Sequence, residues 1–169
     1  MKRIFLFTAV MCIMAVISCK KNKLGTVSFT AQLDFTTTIP AQPELPLLDT
    51  PVTVSADIPI QDKRLRHSEK ASLKDFYVEI QAPSGQTFDF CREVHLFLSA
   101  PGVAETEIAF AENIDPNSTR IDFAVSHADM VQFIHQNSMT VKLKIRLGKS
   151  LSRPTTVYGN LMFNVQGRL

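Results

Sequence analysis

The sequence lacks the residues and spacings on which most enzyme and cofactor motifs depend. Its 169 residues include no tryptophan, three cysteines and six glycines. No Cys-x-x-Cys pair is present, which argues against the common redox and zinc motifs. Nucleotide binding is excluded because the glycines are too scattered to form a Gly-x-Gly-x-x-Gly or Walker loop. They are Gly25, Gly85, Gly102, Gly148, Gly159 and Gly167.

Histidine and serine offer no catalytic arrangement either. The four histidines show no i,i+4 pairing and no His-Glu-x-x-His motif. His127 and His135 fall on one predicted helix, where they would lie about 12 Å apart along the axis and could not share a metal. The Ser84-Gly85 pair lacks the Gly-x-Ser-x-Gly elbow of hydrolases. We therefore predict no catalytic residue, no metal site and no cofactor, and a protein that is not an enzyme.

The chain begins with a basic cap, a short apolar run and a cysteine. Lys2 and Arg3 precede an uncharged run of 14 residues from Ile4 to Ile17. A helix needs roughly 20 apolar residues to cross a bilayer core, so the run fits a signal peptide better than a membrane span. The sequence Val16-Ile17-Ser18-Cys19 follows, and three of the next four residues are lysines.

This start resembles the lipobox signal peptide of bacterial lipoproteins, in particular those of Bacteroidota. The resemblance implies lipid transfer to the sulfur of Cys19, cleavage before Cys19 and acylation of the new amino terminus. Several acyl chains together make an effectively permanent anchor. The resemblance thus divides the chain into a signal peptide (residues 1–18), a lipidated tether (19–25) and one domain (26–169). The alternative is plain secretion with a free cysteine.

Location and charge follow from the same segment. Lys20 after the cysteine is similar to outer-membrane sorting signals, so we expect an envelope protein anchored in the outer membrane, on either its periplasmic or its surface side. Cleavage would remove Lys2 and Arg3 and leave 16 basic and 16 acidic residues. Without the three tether lysines the domain has 13 basic and 16 acidic residues. This balance gives no support for a nucleic-acid partner.

The domain alternates apolar and polar residues with a period of two. Such alternation is typical of strands with one buried face. Cys91 lies among apolar residues and is predicted to be a core cysteine. A bulge or single helical turn is expected near residues 89–93, where the alternation fails. The predicted strands span residues 26–35, 52–60, 76–80, 94–98, 106–111, 120–125, 139–147 and 157–165.

These strands predict an all-β fold, an antiparallel two-sheet sandwich of about eight strands with one short helix near residues 127–136. Ser126 and Asp129 resemble a capping box at the start of that helix. The proline-rich segment between residues 35 and 52 is predicted to carry the chain from one sheet to the other. The organisation resembles an immunoglobulin-like sandwich, although the tryptophan and disulfide of antibody domains are absent.

Two basic groups are candidate ligand-binding residues. Lys63, Arg64 and Arg66, with Lys70 close by, are predicted to form a loop tip that could dock an anionic ligand, or simply a solvated connection. Lys142, Lys144 and Arg146 alternate along a predicted strand. They could bind an anionic glycan or a partner protein, or protect a sheet edge from pairing with other molecules.

Three classes of function follow from these observations. We favour a non-catalytic, membrane-anchored envelope lipoprotein that binds a protein or glycan partner and is monomeric. An adhesin or fimbria-related subunit is the first alternative, because such proteins accept a donated strand. An envelope hydrolase with an unrecognised site is the second. The ligand and the pathway cannot be read from the sequence.

Overall fold

A computed structural model describes residues 25–44 and 50–168 and shows two antiparallel β-sheets packed face to face. The predicted all-β sandwich with one short helix is confirmed. One sheet has four strands in the order β1, β9, β3, β6, and the other has five in the order β2, β8, β4, β5, β7. The elements are β1 Thr26–Ile39, β2 Val52–Pro59, β3 Ser68–Ala82, β4 Cys91–Ala100, β5 Val103–Glu112, β6 Arg120–Asp122, β7 Ala124–Val125, α1 Val131–Ile134, β8 Ser138–Leu147 and β9 Thr155–Arg168.

The core lies between the sheets and is built from the apolar members of each alternating strand. Strand β8 shows the pattern most plainly, because every second residue from Met139 to Ile145 is buried. Helix α1 adds Phe133 and Ile134, which are fully buried. Burial of apolar surface on this scale is the main force that holds two sheets together.

The chain passes between the sheets where the sequence predicted it. Strand β1 belongs to the four-stranded sheet and β2 to the five-stranded sheet, and the segment between them contains the run of prolines. Gln42 forms a β-bridge with Leu151 beside this crossing. The predicted turn near residues 89–93 is also confirmed, as a 3-10 turn at Phe88–Phe90 followed by a register shift between Cys91 and Glu93.

The strand predicted at residues 120–125 is instead two short strands in different sheets. Strand β6 pairs with β3, whereas β7 pairs with β5. Phe123 lies between them, is buried, and donates its backbone N–H to the carbonyl of Phe76. The sequence alternates without a break here because Ile121, Phe123 and Val125 all point inward, even though the backbone is changing sheets.

The helix is shorter than predicted and begins differently. It spans four residues, and the carboxylate of Asp129 accepts a hydrogen bond from the N–H of Val131. The predicted capping box is wrong, since the N–H of Ser126 bonds to Ile108 and its hydroxyl is buried without a partner. Asp129 instead forms a bridge with Ser72 of β3, which holds the preceding segment against the sheet.

Strand β3 begins earlier than predicted, which corrects the proposed loop tip. The strand starts at Ser68, so Lys70 lies within it rather than in the loop. Residues Leu65–His67 form a 3-10 turn whose Leu65 is buried in the core. A buried leucine between two arginines therefore fixes this connection, which the sequence predicted to be either a loop tip that docks an anionic ligand or a solvated connection.

Candidate functional site

The first predicted basic group is tied to its own neighbourhood. The guanidinium of Arg64 donates three hydrogen bonds to the carboxylate of Asp62, and these lower the pKa of that carboxyl group. It also lies 4.8 Å from the ring centroid of Phe29 in β1. Arg66 donates to the backbone carbonyl of Ile60 at 3.3 Å, and Lys63 is exposed in the same connection. Arg64 and Arg66 thus anchor the connection to the sandwich.

The second basic group lies on the outer face of the five-stranded sheet. Strand β8 runs between β2 and β4, so the hypothesis that its lysines protect a sheet edge is wrong. Lys142 and Lys144 both donate to Glu105, and these hydrogen bonds lower the pKa of its carboxyl group. Arg146 pairs with Glu93 at 3.1 Å. An anionic ligand on this row would have to compete with both carboxylates.

The two basic groups lie on different elements and do not line a common pocket. The row on β8 borders a shallow depression of about 260 Å³ lined by Lys144, Arg146, Glu93, His95, Glu107, Phe97 and Pro51. Lys144 covers the ring of Phe97 at 3.8 Å, and His95 contacts Glu107 at 2.8 Å. Lys144, Arg146 and Glu93 each already have an oppositely charged side chain beside them.

The outer face of the four-stranded sheet is different in chemistry, and we call it the polar face. Directly opposite residues of antiparallel strands point to the same side, so the register defines five rows of side chains across the sheet. Rows are two residues apart along the strands, which makes the face roughly 27 Å long. The rows are Thr36, Tyr158, Glu79 and Arg120; Asp34, Asn160, Tyr77 and Asp122; Gln32, Met162 and Asp75; Thr30, Asn164, Ser72 and Asp129; and Ser28, Gln166 and Lys70.

A hydrogen-bonded group of three residues lies at the centre of this face. Oδ1 of Asp34 accepts from the hydroxyl of Tyr158 at 2.7 Å and from the side-chain amide of Asn160 at 2.5 Å. The bond to Asp34 is the main reason that the pKa of Tyr158 rises to about 12. Asn160 is only 6% exposed although it points outward. These bonds fix the tyrosine ring and the amide in one orientation.

A second tyrosine extends the centre toward β6. The rings of Tyr77 and Tyr158 have centroids 6.2 Å apart and are tilted by 53°. The guanidinium of Arg120 lies 3.7 Å from the ring centroid of Tyr77 and is held by Asp122 at 2.6 Å. The polar face therefore carries two adjacent aromatic rings flanked by amide, carboxylate and guanidinium groups.

The polar face ends in an open hollow of about 450 Å³. Its floor comes from β3 and β9, and its wall from the segment that Asp129 holds against β3. Apart from Ala71, its lining is polar: Lys70, Ser72, His127, Asp129, Asn164 and Gln166. The hollow and the two tyrosines share the same strands, so they form one continuous surface.

Sequence reasoning missed the polar face. Its central residues come from four strands and are up to 126 positions apart in the chain, as in the pair Asp34 and Asn160. One signal was available, since the chain has two tyrosines and both occupy polar positions in alternating strands. The sequence cannot show that β9 lies between β1 and β3, and only that order brings these residues together.

The remaining predictions concern the cysteines, metal binding and membrane-spanning segments. Cys91 is confirmed as a core cysteine, and its burial raises the pKa of the thiol to about 12. Across residues 25–44 and 50–168, no group of three or more potential metal-binding side chains is present. In the same part of the chain, none of the helices is both long enough and apolar enough to cross a bilayer. Cys19, the signal peptide and most of the tether lie outside the described residues.

The architecture defines the class as an all-β, two-sheet antiparallel sandwich. No family model matches the chain, and no curated protein sequence matches it. Solved structures with a similar arrangement include the capsid protein in a decameric assembly of BFDV, with a TM-score of 0.37, 8% identity and coverage of 86% of this chain and 100% of that one. The capsid structure of Helicobacter pylori bacteriophage KHP30 gives a TM-score of 0.32, 6% identity and coverage of 85% and 100%. Similarity at this level carries no argument about function.

Proposed function

We propose that this protein is a non-catalytic envelope lipoprotein, anchored through Cys19, that binds a neutral glycan on its polar face. The observation that carries the proposal is the pair of adjacent tyrosines, Tyr77 and Tyr158, set among fixed hydrogen-bonding groups on an open sheet surface. The proposal keeps the binding module expected from the sequence and assigns its ligand to the polar face.

The chemistry of the polar face suits sugar hydroxyl groups. Amide and hydroxyl side chains both donate and accept hydrogen bonds, as sugar hydroxyls do. Strands β1 and β9 supply at least one hydroxyl or amide side chain to every row of the polar face. Asp34 is the one charged residue that these two strands contribute to the rows. The ring of Tyr158 adds an apolar surface with a polar tip, which suits the C–H face of a sugar ring. Tyr77, one face of which is covered by Arg120, packs beside it.

Charge favours a neutral glycan over an acidic one. The rows contain five carboxylates, those of Asp34, Asp75, Glu79, Asp122 and Asp129, against the two cations of Lys70 and Arg120. An acidic polysaccharide would be repelled by this excess of negative charge. Carboxylates accept hydrogen bonds from neutral hydroxyl groups without such a penalty.

The centre of the face is fixed before any ligand arrives. Asp34 holds both Tyr158 and Asn160, and Asp122 holds Arg120 over Tyr77. Side chains that are already ordered lose less conformational freedom on binding, so more of the contact energy is available for affinity. A chain held at a membrane by lipid would then present a rigid surface to the glycans around it.

The test is binding to a panel of neutral and acidic polysaccharides, by retardation in native gels and then by calorimetry. Tyr158→Ala and Tyr77→Ala are expected to weaken binding of the retained glycan about tenfold or more, since loss of one aromatic contact is worth about 1.4 kcal/mol or more. Phe110→Ala is the matched control, because Phe110 is 42% exposed on a strand of the other sheet. Equal affinity of the wild type and both tyrosine variants, or retention by acidic polysaccharides alone, would contradict the proposal.

A further inference from the structure

The four outer edges of the two sheets are protected to very different degrees. Exposed strand edges invite pairing with other chains, and proteins shield them with short strands, prolines or charges. Strands β6 and β7 have three and two residues. Strand β2 has eight residues and ends at Pro59, and its middle lies against β1, where Thr37 donates to the carbonyl of Ser55 at 3.3 Å. Strand β7 covers only Ala109 and Phe110 of β5, but the rest of that edge carries Glu105 and Glu107. Strand β6 covers only Tyr77–Glu79 of β3, and the bridge from Asp129 to Ser72 covers part of the remainder. Short strands, charges or neighbouring segments thus shield each of these edges.

Among the described residues, strand β1 is the longest edge strand, and its first half has neither a charge of its own nor a strand on its outer side. It has 14 residues, and its first eight, Thr26 to Leu33, contain no charge and no proline. In this half the side chains that point toward the core are incompletely covered. Val27 is 37% exposed, and Phe29 and Leu33 are half-buried. A strand added beside β1 would cover these side chains and satisfy its free backbone groups.

We infer that the first half of β1 pairs antiparallel with β1 of a second copy of this chain. A two-fold axis places the same strand opposite itself in the antiparallel direction, which continues the antiparallel sheet. Pairing centred near Thr30 sets hydroxyl and amide side chains opposite one another on one side and apolar side chains opposite one another on the other. It also places Asp34, the single charge in the strand, opposite an uncharged residue.

A second copy fits this edge better than a strand from a charged partner. The strand itself carries no charge in this half, and Arg64, which lies over Phe29, is already paired with Asp62, so nothing selects an oppositely charged strand. The alternating pattern of the strand, by contrast, matches itself. The product is one continuous eight-stranded sheet with the two polar faces side by side. If the proposed glycan site is correct, the pair would present a surface twice as wide, but the pairing does not depend on that site. The inference departs from the monomer expected from the sequence, which does not reveal which strands lie at an edge.

Site-directed cysteine crosslinking of the full chain in intact cells tests the pairing. Ser28→Cys, Thr30→Cys and Gln32→Cys place one thiol at a time on the exposed side of β1. Residues opposite each other near a two-fold axis have Cα atoms about 5 Å apart, within reach of a disulfide. Oxidation with copper phenanthroline should give a dimer strongest at one of the three positions. Thr53→Cys, exposed on β2, is the matched control and should give none.

Charge substitution gives an independent measurement. Thr30→Lys with Gln32→Lys places like charges opposite each other in the pair and should abolish the dimer found by amine crosslinking, while Thr53→Lys with Ser55→Lys should leave it unchanged. Thermal unfolding checks that each variant is folded. If the lysine variant does not fold, crosslinking of the cysteine variants decides whether the chains pair. Tyr158→Ala should keep the dimer, so loss of glycan binding and loss of pairing are distinguishable. Absence of any dimer, equal crosslinking at Thr53→Cys, or a product with a mass other than twice the chain would overturn the inference.

Discussion

Replacement of Gly159 by alanine is the sharpest test of how the four-stranded sheet is packed. Gly159 lies in the central strand β9, directly opposite Phe35 of β1. A Cβ atom at this position would lie 2.3 Å from two carbons of the Phe35 ring. The ring has little room to withdraw, because Phe35 is 6% exposed and stacks on Phe76 at 6.2 Å. The glycine is thus required by a neighbouring ring and not by its backbone angles.

The size of the effect follows from two opposing contributions. Overpacking a well-filled core costs about 1–3 kcal/mol. Alanine recovers about 0.5–1 kcal/mol relative to glycine, because glycine loses more conformational freedom when a strand forms. Because a contact of 2.3 Å is far inside van der Waals distance, the overpacking cost lies in the upper part of its range, about 2–3 kcal/mol. We therefore expect Gly159→Ala to lower the free energy of unfolding by about 1–2.5 kcal/mol. For a domain of this size, that corresponds to a fall in Tm of roughly 2–10 °C.

Urea unfolding followed by far-UV circular dichroism measures this change. Gly148→Ala is the control, since its Cβ would lie 3.7 Å from the nearest side-chain atom and should have a small effect. Phe35→Leu removes the outer ring atoms, so Gly159→Ala should cost less in that background, with a coupling of about 0.5 kcal/mol or more. The reasoning is refuted if Gly159→Ala is as stable as the wild type, or if it costs the same in both backgrounds.

Three further predictions concern single ionisable or modified groups. The pKa of Tyr158, about 12, should fall toward its ordinary value of 10.0 in Asp34→Asn, as followed by NMR titration of the tyrosine rings; an unchanged pKa would exclude Asp34 as the cause. Cys91 should not react with Ellman's reagent in the native state and should react once the protein is unfolded in urea. Because the pKa of the thiol is about 12 in the fold against an ordinary value of 9.0, the free energy of unfolding should decline as pH rises from about 9 to 12; a flat profile would contradict the burial. Cys19→Ala should abolish labelling by an alkyne-tagged palmitate and release the protein from membranes, whereas continued labelling would disprove lipidation at Cys19.

The sequence predicted the fold well where one face of a strand is buried and the other is wet. Strand β8 alternates strictly, and its boundaries in the structure, Ser138–Leu147, match the predicted strand to within one residue. The period of two is a direct consequence of side chains pointing alternately to the core and to water. The same signal was misleading at Phe123, because a chain that changes sheets keeps the same side chains buried throughout.

The predictions for the helix and for the start of β3 failed for a different reason. Tertiary contacts decide both, and local patterns do not report them. Ser126 and Asp129 fit the pattern of a capping box, but the bridge between Asp129 and Ser72 keeps the chain extended there, and the helix begins only at Val131. Lys70 belongs to a basic cluster in the sequence, yet its pairing with Gln166 of β9 makes it a strand residue.

The candidate site was likewise predicted only where its residues lie along a single strand. Sequence reasoning identified the basic row Lys142, Lys144 and Arg146 because its alternation is visible along one strand. It could not find Glu105 and Glu93 as their partners, since Glu93 lies on the adjacent strand β4 and Glu105 on β5, the strand beyond it. Visible charge in one strand is therefore a poor guide to free charge on a sheet, because other strands of the sheet supply the opposite sign.

The contrast between the two outer faces leads to a prediction about salt. A ligand on the basic row must displace Glu105 or Glu93 and would bind through charge, so its affinity should fall as ionic strength rises, because the screening length is about 10 Å at 0.1 M salt. A neutral glycan on the polar face binds through hydroxyl, amide and aromatic groups, and its affinity should stay nearly constant. Calorimetry of the retained glycan at low and high salt separates the two surfaces without any mutation. A strong salt dependence would move the binding site from Tyr77 and Tyr158 to the row on β8.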